Sequence, residues 1–160
     1  MGKLVSNYYA GCPDRIIAYI LDLLIVGIPI YMLFMSILLI LASLHFDVSQ
    51  ESFSFSVYVA TVLIGYLLYF AYFDSSEKQA TFGKQAAKII VTDLDGNRIT
   101  FLRSLLRTPF KILFATFGIL GLLNVIVIAV TKNKRGIHDY IAGTLVLKKD
   151  YHLPEEEVAP

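Results

Sequence analysis

Cysteine, histidine and tryptophan are scarce in this chain of 160 residues, which has one cysteine, three histidines and no tryptophan. A single cysteine excludes an internal disulfide and a thiolate metal cluster. The histidines lie too far apart along the chain to indicate a set of metal ligands, so we expect neither a metal centre nor a cofactor. No nucleophile is paired with a base, and we therefore expect no enzymatic activity.

Charged residues are absent from three long segments, at residues 23–44, 53–73 and 112–131. At about 1.5 Å per residue, each segment is long enough to cross a hydrocarbon core of roughly 30 Å. Apolar residues make up 56% of the chain, and a soluble domain of this size is too small to bury three such helices. The sequence therefore predicts an all-α integral membrane protein with two full transmembrane helices and a third apolar segment.

Lysines and arginines are unevenly distributed between these segments. Residues 45–52 have none, whereas residues 74–111 have seven. By the positive-inside rule, the long connection and the N-terminus lie in the cytoplasm. We expect an uncleaved multi-pass protein of the plasma membrane, with a membrane domain over residues 1–151 and an acidic C-terminal tail over residues 152–160.

The third apolar segment has two interpretations. Three crossings would place residues 132–149 outside, yet those residues include five lysines and arginines. Either the segment spans the membrane and the charge rule fails, or it enters and returns with a break at residues 118–121. A re-entrant segment of that kind requires protein or water to cover its broken backbone.

The long connection has local structure of its own. Residues 88–101, KIIVTDLDGNRITF, place β-branched residues on both sides of Asp95-Gly96, which predicts a small cytoplasmic β-hairpin. After it, Arg103, Arg107 and Lys111 recur every four residues. This spacing predicts an amphipathic helix on the membrane surface, with its cations directed at anionic lipid heads. A net charge of only +1 gives no reason to expect a nucleic-acid partner.

An acid interrupts the first apolar helix. Asp22 follows Arg15 by seven residues, so the two side chains lie on one face of the helix with roughly 10 Å of rise between them. A carboxylate alone in a membrane is costly. We therefore expect Asp22 to face the protein interior, where it is either paired or protonated.

A third charged element, RGIHDYIAGT at residues 135–144, completes a recognisable pattern. With Arg15, Asp22 and the segment ATFGKQAAKIIVTDLDGNRITF at residues 80–101, it resembles the RDD family of small membrane proteins, named for one arginine and two aspartates. The three naming residues fall on Arg15, Asp22 and Asp139, and the resemblance covers roughly residues 10–148. Leu23 departs from the pattern, because many members have a second acid there. The resemblance implies a bacterial inner membrane.

The resemblance leaves two classes of function open. Some members have been described as sodium/proton antiporters, which implies monovalent cation/proton transport with Asp22 binding the ion and Arg15 tuning its pKa. Asp139 would be a gate or second acceptor, and His138 would titrate near neutral pH. Two or three spans are few to enclose a pathway, so transport requires a homo-oligomer. The alternative is a non-catalytic scaffold or accessory subunit, in which the same cluster is a structural lock.

Overall fold

The computed structural model describes residues 8–149, except for the side chains of residues 115 and 116. Within that range the chain forms six α-helices and two β-strands. The acidic tail predicted at residues 152–160 lies outside the described residues.

Two long helices form an antiparallel pair, α1 (Cys12–Ser43) and α2 (Glu51–Asp74). Each is long and apolar enough to cross a membrane. Two contacts show that they run in opposite directions. Phe34 contacts Tyr58, with ring centroids 5.2 Å apart, and Asp22, nearer the start of α1, bonds Tyr69, nearer the end of α2. Most of their large apolar side chains are exposed, as expected for helices whose solvent is lipid.

The third apolar segment forms a bent pair of helices, α4 (Phe101–Thr116) and α5 (Gly118–Val130), whose axes differ in direction by 117°. The break lies at Phe117, just before the predicted residues 118–121, which instead begin α5. At the bend α5 passes close to α4, since a Cβ atom on Gly121 would lie 2.8 Å from the carbonyl oxygen of Phe114. The middle of α4 contacts Asp139 through Arg107. The connection after α5 lies near the same residue, because Arg15, which bonds Asp139, also donates to the carbonyl of Lys134. A pair bent in this way fits both a broken span and an element that enters and returns.

The two strands, β1 (Ile89–Asp93) and β2 (Thr144–Lys148), form an antiparallel sheet in which Val91 faces Val146. The predicted hairpin is wrong in its second strand. Its turn forms, with Gly96 at φ 82°, but beyond the turn only Arg98 makes an isolated bridge, to Thr92. Burial decides the pairing, because Val91 and Val146 are almost fully buried in one apolar core, and that core fixes the register.

Two short helices, α3 (Phe82–Ala86) and α6 (Ile137–Ala142), complete the fold. The Thr81 hydroxyl accepts from the Lys84 N–H and caps α3. We call α3, α6, the sheet and their connections the polar cap. The polar cap shares a small apolar core with the start of α1, formed by Ala10, Ala18, Ile89, Val91, Ile99 and Val146.

Candidate functional site: a buried network of charged side chains

Asp139 is fully buried in α6, and both of its carboxylate oxygens accept several hydrogen bonds. Oδ2 accepts from Nη1 of Arg15 at 2.5 Å and from the backbone N–H of Gly136 at 3.1 Å. Oδ1 accepts from Nε of Arg107 at 2.8 Å and from the Thr144 hydroxyl at 3.3 Å. The carboxylate therefore holds guanidinium groups from α1 and α4 against α6.

Arg107 extends this contact to a second acid at the end of α2. Its Nη1 lies 2.9 Å from Oδ2 of Asp74, while the Lys84 ammonium lies 2.5 and 2.6 Å from the two oxygens of Asp74. The result is an unbroken ion-pair chain in the order Arg15, Asp139, Arg107, Asp74 and Lys84. Its members come from α1, α6, α4, α2 and α3, so the ion-pair chain joins every helix except α5.

Four members of the ion-pair chain are buried, Asp139, Arg107, Asp74 and Lys84, and Arg15 is partly exposed. Burial acts on the acids and the bases in opposite directions. Burial alone would raise the pKa of Asp139, but the guanidinium groups of Arg107 and Arg15 hold it well below the ordinary value. Burial lowers the pKa of Lys84, although the carboxylate of Asp74 opposes that shift. Asp139 is therefore the ionised anchor of the ion-pair chain at neutral pH.

Asp22 faces the interior, as expected, but its partners are neutral. It is 1% exposed, and its oxygens accept from the Tyr69 hydroxyl at 2.8 Å, the Thr81 hydroxyl at 2.6 Å and the Gly83 N–H at 2.7 Å. No hydrogen bond or ion pair joins it to Arg15 among the described residues. The acid in the first helix thus docks the start of α3 onto α1 and α2.

The contact between α3 and α1 leaves no room for a side chain at Gly83. A Cβ atom there would lie 2.0 Å from the carbonyl oxygen of Ala18 and 2.8 Å from Cγ of Asp22. Such a close approach of two backbones requires glycine. The backbone N–H of Gly83 reaches the Asp22 carboxylate because of this packing.

His138 is adjacent to Asp139 but does not titrate as the sequence suggested. Its Nε2 lies 3.4 Å from Oδ1 of Asp139, and its Nδ1 has no hydrogen-bond partner among the described residues. Burial lowers the pKa of His138 to about 3, even though the neighbouring carboxylate opposes the shift. The expectation of titration near neutral pH is therefore wrong, and the imidazole is neutral at pH 7.

Of the predicted surface stripe on α4, Arg103 is exposed, and its contact with a membrane surface stays a prediction. Arg107 is 3% exposed within the ion-pair chain, and Nζ of Lys111 lies 3.4 Å from the centroid of the Phe70 ring. The prediction that Arg107 and Lys111 face the membrane surface is therefore wrong. Acids from distant segments draw Arg107 inward, and the leucines Leu102 and Leu106 are exposed instead.

Sequence reasoning missed Asp74 and Lys84 of the ion-pair chain. Asp74 was visible only as the acid that ends the second apolar segment, and Lys84 only as a cation of the long connection. The sequence around Asp74 and Lys84 does not show that they belong to the site. Each residue meets its ion-pair partner only because α3 and α4 pack against α2. A charge at the end of an apolar segment was the one available signal.

A cavity of about 240 Å³ lies beside this network, between α1, α4 and α5. Its lining includes five charged side chains and one imidazole, Arg15, Asp22, Lys84, Arg107, Lys111 and His138, and the neutral polar side chains of Cys12, Tyr19 and Asn124. Within residues 8–149, no group of three or more histidine, cysteine, aspartate or glutamate side chains is placed to hold a metal ion. The cavity therefore offers cations, one carboxylate, a neutral imidazole and neutral polar groups for binding.

Comparisons with known proteins agree with the pattern of arginine and aspartates. A model of the RDD family matches residues 9–143. The chain is 32% identical over 148 residues to the uncharacterized membrane protein YteJ of Bacillus subtilis, covering 91% of this chain and 84% of that protein. It is 28% identical over 150 residues to the uncharacterized protein YckC of the same organism, covering 92% and 88%. No solved structure matches significantly.

Proposed function

This chain belongs to the RDD family of membrane proteins, and from that premise we propose that it is a non-catalytic membrane scaffold whose ion-pair chain is a structural lock. The observation that carries this proposal is the saturation of Asp139. Its two oxygens accept from two guanidinium groups, one hydroxyl and one backbone N–H. A carboxylate engaged in this way has little capacity left for a proton or a metal cation.

Burial explains why such a network suits a lock. Taking ions out of water is expensive, and removing one partner of a buried pair costs about 3–5 kcal/mol because the other charge is left uncompensated. The ion-pair chain therefore penalises any movement of the polar cap relative to α1 and α2. A fixed polar cap at the membrane surface is the property that a scaffold needs to hold a partner.

The second candidate is monovalent cation/proton antiport at Asp22. The observation that favours it is that this buried carboxylate lines the cavity together with Lys84 and His138. Buried acids in cavities are common at proton-transfer sites. In this reading Arg15 and Asp139 act through the packing of the polar cap, and the pathway lies between subunits of a homo-oligomer.

We also propose that the polar cap faces the cytoplasm of a bacterial inner membrane, with the N-terminus on the same side. The support is the distribution of cations, because the long connection and residues 132–149 are rich in lysine and arginine and residues 45–52 have none. The contact between Arg15 at the start of α1 and Asp139 in α6 supports placing the start of α1 and the polar cap on the same side.

Proton flux in sealed vesicles separates the two candidates. The purified protein is reconstituted with an internal pH-sensitive dye, a pH gradient is imposed, and sodium, lithium or potassium is added. The lock predicts the same proton leak as in protein-free vesicles. Antiport predicts cation-dependent proton movement, which Asp22→Asn abolishes.

A pair of Asp22 variants distinguishes loss of charge from loss of fold. Asp22→Asn retains one oxygen that can accept from Tyr69 and Gly83, so we expect its thermal unfolding to remain close to that of the wild type. Asp22→Leu removes every acceptor and should lower the melting temperature by several degrees. Cation-dependent flux that is lost in a well-folded Asp22→Asn protein would overturn the scaffold proposal in favour of antiport.

A further inference from the structure

Lys111 is the one cation on the cavity lining that lacks a carboxylate partner among the described residues. Arg15 and Arg107 bond Asp139, and Lys84 bonds Asp74. The ammonium of Lys111 lies instead over aromatic faces, 3.4 Å from the centroid of the Phe70 ring and 5.7 Å from that of Tyr19. Ring faces attract a cation, but they compensate only a part of the cost of removing it from water.

The charges around the cavity are consequently unbalanced. The lining holds four cations, Arg15, Lys84, Arg107 and Lys111, and one carboxylate, Asp22. Two further carboxylates, Asp74 and Asp139, lie off the lining and are paired with three of these cations. His138 adds no charge at neutral pH, because burial lowers its pKa to about 3. One further negative charge beside Lys111 would balance the set.

The imidazole of His138 is a second polar group on the lining that can form a further hydrogen bond. Nδ1 of His138 is buried without a hydrogen-bond partner among the described residues, and the side chain lines the cavity. Because Nε2 faces the carboxylate of Asp139 at 3.4 Å, the proton of the neutral ring belongs on Nε2. Nδ1 is then an acceptor, suited to a hydroxyl group of a ligand.

Apart from Cys12, Tyr19 and Asn124, the remaining lining has no polar side chain, and its apolar part reaches the surface between α1 and α5. Ile16 and Val125 line the cavity and are also 49% and 38% exposed. Phe114 and Ile128 continue the apolar wall inward. A molecule in the cavity would therefore touch both cations and the apolar side chains that α1 and α5 present to lipid.

We propose that this cavity binds one anionic phospholipid, with its phosphate on the Lys111 ammonium and the start of an acyl chain between Ile16 and Val125. Basic pockets between membrane helices recognise anionic headgroups through the same combination of charge and apolar wall. The wall favours a lipid over a free anion, and the unpaired ammonium favours an anionic over a zwitterionic headgroup. This site is separate from the surface attraction expected of exposed Arg103, and it does not depend on which proposed function holds.

Thermal unfolding in a neutral detergent tests the proposal with three probes: phosphatidylglycerol, phosphatidylcholine with the same acyl chains, and sodium phosphate. A ligand that binds the folded state raises the melting temperature with its concentration. We expect a saturable rise with phosphatidylglycerol and little change with the other two. An equal rise with phosphatidylcholine, or a full rise with phosphate alone, would overturn the lipid site.

Variants of two cations on α4 locate the effect. Lys111→Met keeps the aliphatic stem and should raise the half-saturating concentration of phosphatidylglycerol at least tenfold. Arg103→Met removes an exposed cation from the same helix and should change it less than twofold. Equal effects of the two variants would mean general surface attraction and would contradict a specific site.

The melting temperature of Lys111→Met without lipid and the phosphatidylglycerol binding of Val125→Trp test the proposal further. Lys111→Met removes an uncompensated charge, so without lipid it should melt at or above the wild-type temperature; a lower value would show that the ammonium already has sufficient partners. Val125→Trp leaves every charge in place and narrows the apolar end, and it should also weaken phosphatidylglycerol binding. Unchanged binding in Val125→Trp would overturn the placement of the acyl chain.

Discussion

Arg15 and Asp139 are 124 positions apart in the sequence, and their charged groups meet at 2.5 Å. The contact ties the first turn of α1 to the helix that follows the bent pair of α4 and α5. Because Arg107 binds the other oxygen of the same carboxylate, Asp139 is the point at which three helices are joined. The first prediction concerns this residue.

Asp139→Asn should destabilise the protein strongly. The change removes the charge that compensates two guanidinium groups, and an amide nitrogen would face one of them. We expect a loss of about 3–5 kcal/mol in the free energy of unfolding, measured by thermal or denaturant unfolding in detergent. Asp95→Asn is the matched control, because Asp95 is exposed. Similar stabilities for the two variants would contradict the structural role of Asp139.

Arg107→Lys should be destabilising although it conserves the charge. The guanidinium reaches Asp139 through Nε and Asp74 through Nη1, and a single ammonium cannot reproduce that fork. A charge-assisted bond is worth about 1.5–3 kcal/mol, so we expect a loss on that scale. Arg103→Lys on the exposed face of the same helix should change the free energy of unfolding little. Equal tolerance at the two positions would show that the bridge is not needed.

Gly83→Ala should separate α3 from α1. The new methyl group would lie 2.0 Å from the carbonyl oxygen of Ala18, and a backbone atom within a long helix cannot easily move away. We expect a loss of at least about 1–3 kcal/mol, seen as a lower melting temperature. Gly118→Ala is the control, because nothing lies within 4 Å of the position that its new methyl group would take. That variant should be neutral or up to about 1 kcal/mol more stable, and the opposite ranking would refute the close packing at Gly83.

His138 should make stability depend on pH between 7.5 and 5. Burial lowers its folded-state pKa from 6.5 to about 3, so below pH 6.5 the unfolded chain takes up a proton that the folded chain does not. Stability therefore falls as the pH falls, by about 2 kcal/mol at pH 5. The lowered pKa of Asp139 acts only below about pH 4, outside this range.

The measurement is the free energy of unfolding at several pH values for the wild type, His138→Asn and His45→Asn. The first variant should lose most of the slope, because it has no buried imidazole. The second should keep it, since His45 is exposed. A wild-type slope that persists in His138→Asn would assign the pH dependence to another group.

Hydropathy and motif together predicted a large part of this fold and site. The uncharged segments predicted α1 and α2, since a run of apolar side chains long enough to cross a bilayer has few other stable arrangements. The motif singled out Arg15 and Asp139, which lie in direct contact.

The errors about β1, Arg107 and Lys111 concern partners that are distant in sequence. Strand β1 was assigned to a hairpin because a turn followed it, but β2 supplies the apolar face that its core requires. Arg107 and Lys111 were placed at the membrane surface from their spacing on α4. Spacing shows that they share a face, but only the positions of Asp74, Asp139 and Phe70 show that this face points inward.

The sequence by itself determined that the chain is a membrane protein. It also determined the positions of the long helices along the chain and identified the charged residues that are unusual in such helices. Those properties follow from local composition, because hydropathy and charge are set residue by residue. Only the tertiary structure decided that Asp22 is held by neutral donors and that Asp139 is held by two arginines. The partner of a buried charge depends on which segments pack together, and that packing is settled by the whole chain rather than by any stretch of it.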